Sequence, residues 1–242
     1  MKSGIDSKVA EIIDDAFETS DITYIPDIND SNLTFGNKGL KLTATVLYID
    51  MRGSTAILNK HNRTSVAKIH KAYFHTIVTI AKSLGGEVRS FNGDGMLVLF
   101  QGTTKAKLSN SVTAAMKMKW MLTSADSKVK KKMEKYTSVD FGIGIHYGDI
   151  LCTKVGIAGE NNRDLVWIGN AVNKSVKIGD KIHNDIGISA TVYENLEDRV
   201  KYVTEKDWFG NDVQKDIWKT ATLEYNNTQE TYYFTTYHIE VT

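Results

Sequence analysis

The segment Leu42–Asp50 (LTATVLYID) is a run of apolar and β-branched side chains, and it predicts a buried central strand. Residues 52–55 follow it as a turn. A long helix is predicted next, because apolar side chains recur three and four positions apart until Gly85 and Gly86 stop it. Its apolar stripe consists of Val66, Ile69, Tyr73, Ile77, Ile80 and Leu84.

Beyond this helix the chain is predicted to form a hairpin and then further helices and strands. Glu87–Phe91 and Met96–Phe100 are short strands joined by Asn-Gly-Asp-Gly, whose dipeptides favour tight hairpin turns. The order strand, helix, strand, strand, helix, strand predicts an α+β fold with helices packed on a sheet. The remaining predicted elements are a helix, a strand, a second helix and a C-terminal strand, at residues 104–125, Val139–His146, Gly169–His183 and Tyr232–Val241.

The first forty residues are predicted to form a helical extension in front of a main domain of residues 41–242. Residues 4–18 have Val9, Ile12, Ile13 and Phe17 on one side, as in an amphipathic helix. The single proline, Pro26, lies in a polar stretch that favours turns.

Composition argues against several classes of protein. The 242 residues are 41% apolar and 24% charged, enough to bury a sizeable core and not typical of a disordered chain. Thirty basic residues nearly balance 29 acidic ones, which argues against a nucleic-acid partner, and the lysine run of residues 128–132 is expected to be a solvated loop. No apolar run approaches the roughly 20 residues that span a bilayer. With a single cysteine, Cys152, these features predict a cytoplasmic protein without a membrane partner.

Two aspartates are candidate metal ligands. Asp50 ends the apolar strand and Asp94 lies in the hairpin turn. A carboxylate at the end of a buried strand is costly unless something compensates it. Each aspartate alone is better explained as a turn or cap residue. On neighbouring strands the two would form a site for Mg²⁺ or Mn²⁺, which prefer oxygen ligands and usually bind together with substrate phosphates.

Gly53, Ser54 and Thr55 stand between the strand and the long helix, where main-chain N–H groups form a cradle for phosphate oxygens. The alternative is a plain turn with a Ser or Thr cap. Further along, Asn173 and Lys177 are four residues apart on a predicted helix and so share one face. An amide and a cation there would hold a phosphoryl group, and the alternative is a solvent-facing pair.

Four segments, in order and with similar spacing, resemble the catalytic domain of class III nucleotidyl cyclases, the adenylate and guanylate cyclase family. They are residues 47–55, 85–95, 142–148 and 168–173. The resemblance implies a ferredoxin-like βαββαβ core with added strands, and a catalytic domain over residues 41–242. It also implies a homodimer in which both chains contribute to each of two active sites.

The resemblance also implies residue roles. Asp50 and Asp94 match the aspartates that bind two divalent metal ions, Mn²⁺ or Mg²⁺, and the Met51 carbonyl joins one of them. Residues 53–55 match the turn that binds the triphosphate of the substrate. Asn173 matches an asparagine that the partner chain supplies to orient the ribose.

Departures from the family pattern concern the transition state and the base. Lys177 stands where the family usually has arginine, and Lys174 is a substitute candidate. Ser90 and Val166 occupy the positions that usually read the purine in adenylate and guanylate cyclases, and neither purine-reading pair is present.

Tyr48 and Arg89 are the candidates for reading a pyrimidine instead. Tyr48 is two residues before Asp50 and therefore on the same strand face, where its hydroxyl adds a hydrogen-bonding group. Arg89 brings several donors but has the opposite strand parity to Ser90. The alternatives are a core aromatic for Tyr48 and a surface charge for Arg89.

This pattern resembles the pyrimidine cyclases of bacterial Pycsar antiphage systems, which make cyclic UMP or cyclic CMP as a second messenger. The expected substrate is UTP or CTP, with UTP preferred because an arginine donor favours a carbonyl at position 4 of the base. The alternatives are an adenylate or guanylate cyclase with a divergent base pocket and an inactive, nucleotide-binding regulator.

Overall fold

The computed structural model describes residues 1–157 and 162–242. The helices are α1 (Lys2–Asp14), α2 (Ser54–Lys60), α3 (Arg63–Ser83), α4 (Lys105–Thr123), α5 (Lys128–Met133), α6 (Asn170–Asp180), α7 (Ala190–Glu194) and α8 (Asp198–Lys201). The strands are β1 (Glu18–Asp21), β2 (Lys38–Arg52), β3 (Gly86–Asn92), β4 (Gly95–Gln101), β5 (Asp140–Gly156), β6 (Arg163–Ile168), β7 (Asp185–Ser189), β8 (Tyr202–Lys206), β9 (Asp212–Asp216), β10 (Lys219–Tyr225) and β11 (Thr228–Thr235). No helix in the described ranges is long and apolar enough to cross a membrane.

The central sheet confirms the predicted ferredoxin-like core with added strands. The strands follow the order β10-β11-β7-β5-β2-β4-β3, so the βαββαβ unit of β2, α3, β3, β4, α4 and β5 supplies its four neighbouring strands. β5 pairs antiparallel with β2 on one side and parallel with β7 on the other. β1 and β6 add to the sheet beside this path, and β8 and β9 form a separate two-stranded sheet.

The two faces of β2 are buried by different partners. Leu47, Ile49 and Met51 pack with the apolar stripes of α3 and α4. Ala44 and Val46 face the opposite way, in a second cluster that Tyr48 borders. Because side chains alternate along a strand, Tyr48 and Asp50 lie on this second face. The fully buried Leu and Ile side chains on β2 each contribute about 1.5–3 kcal/mol to folding.

Glycines on β5 let α6 lie directly against the sheet. A Cβ on Gly144 would be 1.9 Å from the Ser175 carbonyl oxygen, and one on Gly142 would be 2.2 Å from that of Gly179. Any side chain at either position would therefore push α6 away from β5. The same contact places Gly179 beside the ring of Tyr48, since a Cβ there would be 3.5 Å from Tyr48 Cδ1.

The N-terminal extension differs from its prediction because it is only partly helical. α1 ends at Asp14 and buries none of its side chains, and Phe17 lies beyond it. Residues 18–21 instead pair in parallel with β2. The side-chain amide of Asn37 donates to the Ile12 and Asp15 carbonyls and fixes the end of α1. The division of the chain at residue 40 stays a prediction.

Several element boundaries were also wrong. The helix expected after Thr55 is two helices, because Asn62 caps α3 by accepting a hydrogen bond from the Ser65 amide at 2.9 Å. The lysine run forms α5, in which Ser127 caps the first turn and Met133 is buried. The strand after Val139 continues to Gly156, and the last strand, β11, ends at Thr235.

Candidate active site

Asp50 and Asp94 both lie at the end of the β2–β4 ladder. Asp50 pairs with Gly95 on the last rung of this ladder, and Asp94 directly precedes Gly95. The hairpin turn needs glycine at position 93, where φ is +65°, so that Asp94 is delivered to the end of β4. The adjacent-strand placement of the two aspartates is confirmed, and their role as metal ligands stays a prediction.

The Asp50 carboxylate lies in an unfavourable electrostatic environment. Burial, followed by the charges of Asp94 and then Asp180, raises its pKa to about 6, although Arg52 lowers it in part. Arg52 offsets this repulsion only in part, and its guanidinium makes no ion pair with Asp50 but donates to the Gly179 and Ile182 carbonyls at the end of α6. A bound divalent cation would offset the repulsion among these carboxylates.

The donors present fit a divalent ion that also takes ligands from substrate. No group of three or more His, Cys, Asp or Glu side chains suited to a metal occurs in the described part of the chain. A metal ion at this position would take two carboxylates from the side chains, and main-chain, water and phosphate oxygens would complete its coordination, as is usual for Mg²⁺. Met51 lies beyond the last β2–β4 rung and pairs only with Phe141 of β5.

The turn at residues 53–55 is exposed beside this site. Gly53 has φ of +69° and precedes α2, whose first turn has no side-chain cap. The first intrahelical bond runs from the Ile57 amide to the Gly53 carbonyl, which leaves the amides of residues 54–56 available to an anion. The plain Ser or Thr cap is thereby ruled out, and phosphate binding by Gly53, Ser54 and Thr55 stays a prediction.

The structure brings three of the four predicted base-pocket residues together. Tyr48, Ser90 and Val166 line one pocket of about 280 Å³. Burial, followed by the charges of Asp50 and Asp180, raises the pKa of Tyr48 to about 12, so its hydroxyl stays protonated and able to donate. Ser90 Oγ donates to Asn92 Oδ1 at 2.9 Å. The other lining residues are Asn92, Leu97, Asp164, Leu165, Trp167, Val172 and Val176.

The prediction that Arg89 belongs to the base pocket is wrong, because its side chain does not line this pocket. Its Nε donates to the Pro26 carbonyl at 2.8 Å and its Nη2 to the Ile25 carbonyl at 3.2 Å. The β3–β4 register shifts between Val88 and Ser90, so Arg89 is the extra residue of a β-bulge. Arg89 was placed near the base because it neighbours Ser90, although its opposite strand parity argued against that position.

Asn173 and Lys177 lie exposed on α6, and neither side chain hydrogen-bonds to any residue that the structure describes. Each is one position, about 100° around the helix, from Val172 or Val176, which line the pocket. Lys174, the substitute candidate, is already engaged. Its Nζ donates to Glu230 Oε2 at 2.6 Å and lies 4.8 Å from the centre of the Tyr225 ring.

Sequence reasoning missed several residues of the site. Val172 and Val176 carry a readable signal, since they are four apart on the same helix as Asn173. Asp180 and Arg52 carry none, because only the packing of α6 on β5 brings the end of α6 to Asp50.

Comparisons with known proteins show which family the chain resembles. Residues 40–234 match the family model of the adenylate and guanylate cyclase catalytic domain. The chain is 31% identical over 224 residues to the uridylate cyclase of Xanthomonas perforans, covering 91% of this chain and 92% of that protein. The uridylate cyclase of Burkholderia cepacia is 29% identical, over 86% and 90% of the two chains. The cytidylate cyclase of Staphylococcus aureus is 25% identical, over 59% and 37%.

Solved structures share the fold. The guanylyl cyclase Cya2 matches with a TM-score of 0.65 and 21% identity, over 83% of this chain and 94% of that one. The adenylyl cyclase CyaB from P. aeruginosa matches with a TM-score of 0.64 and 17% identity, over 82% and 95%. Since the family model spans most of the sequence, this chain belongs to the adenylate and guanylate cyclase catalytic-domain family.

Proposed function

We propose that this protein is a pyrimidine nucleotide cyclase that converts UTP, or CTP, to the 3′,5′-cyclic monophosphate and pyrophosphate. The observation that carries the proposal is the shared pocket of Tyr48, Ser90 and Val166. This pocket offers a phenol and a small hydroxyl in place of the residue pairs expected for reading a purine. The relatives that match most of the chain are named uridylate cyclases, which favours UTP.

In the proposed reaction the ribose 3′-oxygen forms a bond to the α-phosphorus, and the bond from this phosphorus to the α–β bridging oxygen breaks. The hydroxyl proton goes to solvent and pyrophosphate leaves. Asp50 and Asp94, with the Met51 carbonyl, would hold the divalent ions, Mn²⁺ or Mg²⁺. Such ions would lower the pKa of the hydroxyl and neutralise charge on the phosphates. The amides of residues 53–55 bind the triphosphate.

We further propose that the active form is a homodimer with shared sites. Asn173 and Lys177 face outward while Val172 and Val176 face the chain's own pocket. This arrangement suits Asn173 and Lys177 for delivery to the site of a second copy. There the Asn173 amide would orient the ribose, and the Lys177 ammonium would stabilise charge developing on the phosphoryl oxygens.

Base selection rests on Tyr48 and Ser90. The uracil base has carbonyls at positions 2 and 4, and a protonated phenol donates to a carbonyl. Because each nitrogen of Arg89 already donates to the protein, the choice between UTP and CTP no longer rests on that side chain. A role in cytoplasmic antiphage signalling is proposed from the resemblance to Pycsar cyclases alone.

The test is turnover of each of the four nucleoside triphosphates with Mn²⁺ or Mg²⁺, followed as pyrophosphate release and by mass identification of the cyclic product. We expect the pyrimidine nucleotides to be cyclised and UTP to have the highest kcat/KM. Faster cyclisation of ATP or GTP would overturn the pyrimidine assignment. Nucleotide binding without pyrophosphate release would instead indicate an inactive, nucleotide-binding regulator.

A further inference from the structure

The chain between Ile22 and Leu33, here called the N-terminal segment, covers the apolar layer beneath the nucleotide pocket. Ile25 and Leu33 are buried in the same cluster as Leu97 and Trp167, which line the pocket. The family match begins at residue 40, so the segment lies outside the matched domain. Its burial shows that it is nevertheless part of the packing behind the pocket.

One side of the pocket is joined to the segment through Arg89. This side chain is part-buried and holds the Ile25 and Pro26 carbonyls through two different nitrogens, while its third nitrogen donates to Glu87 and to the Val88 carbonyl. Arg89 is the bulge residue, and the next residue, Ser90, lines the pocket together with Tyr48. Bulges commonly re-aim a neighbouring side chain. The segment therefore fixes the bulge that turns Ser90 toward the nucleotide.

The opposite side of the pocket is joined to the same segment. β6 supplies Val166 and Trp167 to the pocket and begins at Arg163, whose Nη2 donates to Asn29 Oδ1 at 3.2 Å. β3 and β6 are not neighbours in the sheet, since β3 pairs with β4 and β6 with β5. A third anchor is Gln101 at the end of β4, which donates to the Thr23 carbonyl. The segment thus bridges two strands that the sheet itself leaves unconnected.

We propose that the N-terminal segment sets the width of the nucleotide pocket. Arg89 is the positioning residue, because its hydrogen bonds to the segment fix the position of Ser90 in the pocket. The proposal rests on the proposed function only for the identity of the nucleotide. A pocket held at a fixed width accepts a single-ring base and excludes a two-ring base by size, as shape-based selection requires. Arg89 acts here through the main chain, without touching the base.

The test compares Arg89→Gln and Arg163→Gln with a matched control, Arg199→Gln. Like Arg89, Arg199 donates hydrogen bonds from all three side-chain nitrogens, but to Thr113, Asn110 and Glu197, none of which lines the pocket. Amide hydrogen exchange of residues 22–33 is measured without nucleotide. KM, kcat and selectivity for UTP over ATP are measured with Mn²⁺. UTP binding is followed separately as a rise in Tm.

We expect Arg89→Gln to speed exchange in the segment about tenfold and to raise KM for UTP about tenfold while kcat changes less than about threefold. Selectivity for UTP over ATP should fall, because the pocket is no longer held narrow. Arg163→Gln should produce the same pattern more weakly, since it removes one bond. Arg199→Gln should leave the exchange of the segment and the KM for UTP unchanged.

Two results would overturn the proposal. A higher KM with unchanged exchange of residues 22–33 would mean that Arg89 contacts the nucleotide directly. Faster exchange with unchanged KM and selectivity would mean that the segment does not shape the pocket. Arg89→Lys, which keeps the charge and one donor group, serves if Arg89→Gln fails to fold. Absence of pyrimidine turnover by the unmodified protein would count against the proposed function alone. Amide exchange of the segment and the rise in Tm with UTP are measured independently of turnover and would still test the present proposal.

Discussion

Gly95 leaves the space in which the Asp50 carboxylate lies, on the last rung of the β2–β4 ladder. A Cβ at Gly95 would be 2.9 Å from Asp50 Oδ1 and 2.6 Å from Tyr48 Oη. The proposed metal site and the proposed base pocket therefore both depend on one missing side chain. The second glycine of the Gly-Asp-Gly turn therefore leaves room for two site side chains, in addition to its part in the turn.

Gly95→Ala should displace both groups. We expect kcat to fall about a hundredfold, because misplacing a reacting group by about 1 Å costs that much. We expect stability to fall by about 1–3 kcal/mol from overpacking. Gly36→Ala is the matched control, since its Cβ would meet only Thr34 Oγ1 at an ordinary 3.6 Å. Turnover and Tm are the measurements, and a fully active Gly95→Ala protein would disprove the dependence.

Asp50→Asn should separate metal binding from folding. Turnover should be lost, and so should the rise in Tm that Mn²⁺ gives the unmodified protein, because an amide is a poor ligand for the ion. Without metal the variant should be more stable than the unmodified protein, since the substitution removes a carboxylate that burial, Asp94 and Asp180 all disfavour. Thermal unfolding with and without Mn²⁺ reads both effects.

Asp126→Asn, at an exposed position, is the control for Asp50→Asn. It should change neither the activity nor the response to Mn²⁺. A Tm that still rises with Mn²⁺ in Asp50→Asn would place the ion elsewhere.

The local elements were predictable from sequence, and the contacts between distant elements were not. α3 and the β3–β4 hairpin follow from their own apolar spacing and turn residues. β1 was missed because its four exposed residues gain order only by pairing with β2. Arg89 was misplaced because its partners, the Ile25 and Pro26 carbonyls, are more than 60 residues away in the sequence, and no local pattern shows that contact or the bulge at Arg89.

Mixing two inactive variants tests the shared site. Asp50→Ala and Asn173→Ala chains, each inactive alone, should recover about a quarter of the unmodified activity when mixed equally, because half of randomly paired dimers are mixed and each has one whole site. The measurement is pyrophosphate release after the chains are mixed, co-incubated and allowed to exchange. The mixture of Asp50→Ala with Asp94→Ala is the control and should stay inactive, because both changes affect the same half of a site. Activity no higher than that control would argue that each chain is complete by itself.

His146 should make the protein sensitive to acid. The ring is buried and its Nδ1 lies 2.7 Å from Ser189 Oγ, and burial, with a smaller contribution from Lys174, lowers its pKa to about 4. The folded state therefore binds the proton less readily than the unfolded state, whose pKa is near 6.5. Stability is complete above about pH 6.5 and falls as the pH drops toward 4, by about 2 kcal/mol at pH 5.

His146→Gln keeps a hydrogen-bonding group toward Ser189 but does not titrate. Denaturant unfolding from pH 7 to pH 5 should show the unmodified protein losing stability relative to this variant by that amount. His183→Gln is the control, because the His183 side chain is 67% exposed where it contacts Asp140, whereas the His146 ring is buried. Equal acid sensitivity of the unmodified protein and His146→Gln would show that the His146 ring is not held neutral by the fold, and that other groups set the acid response.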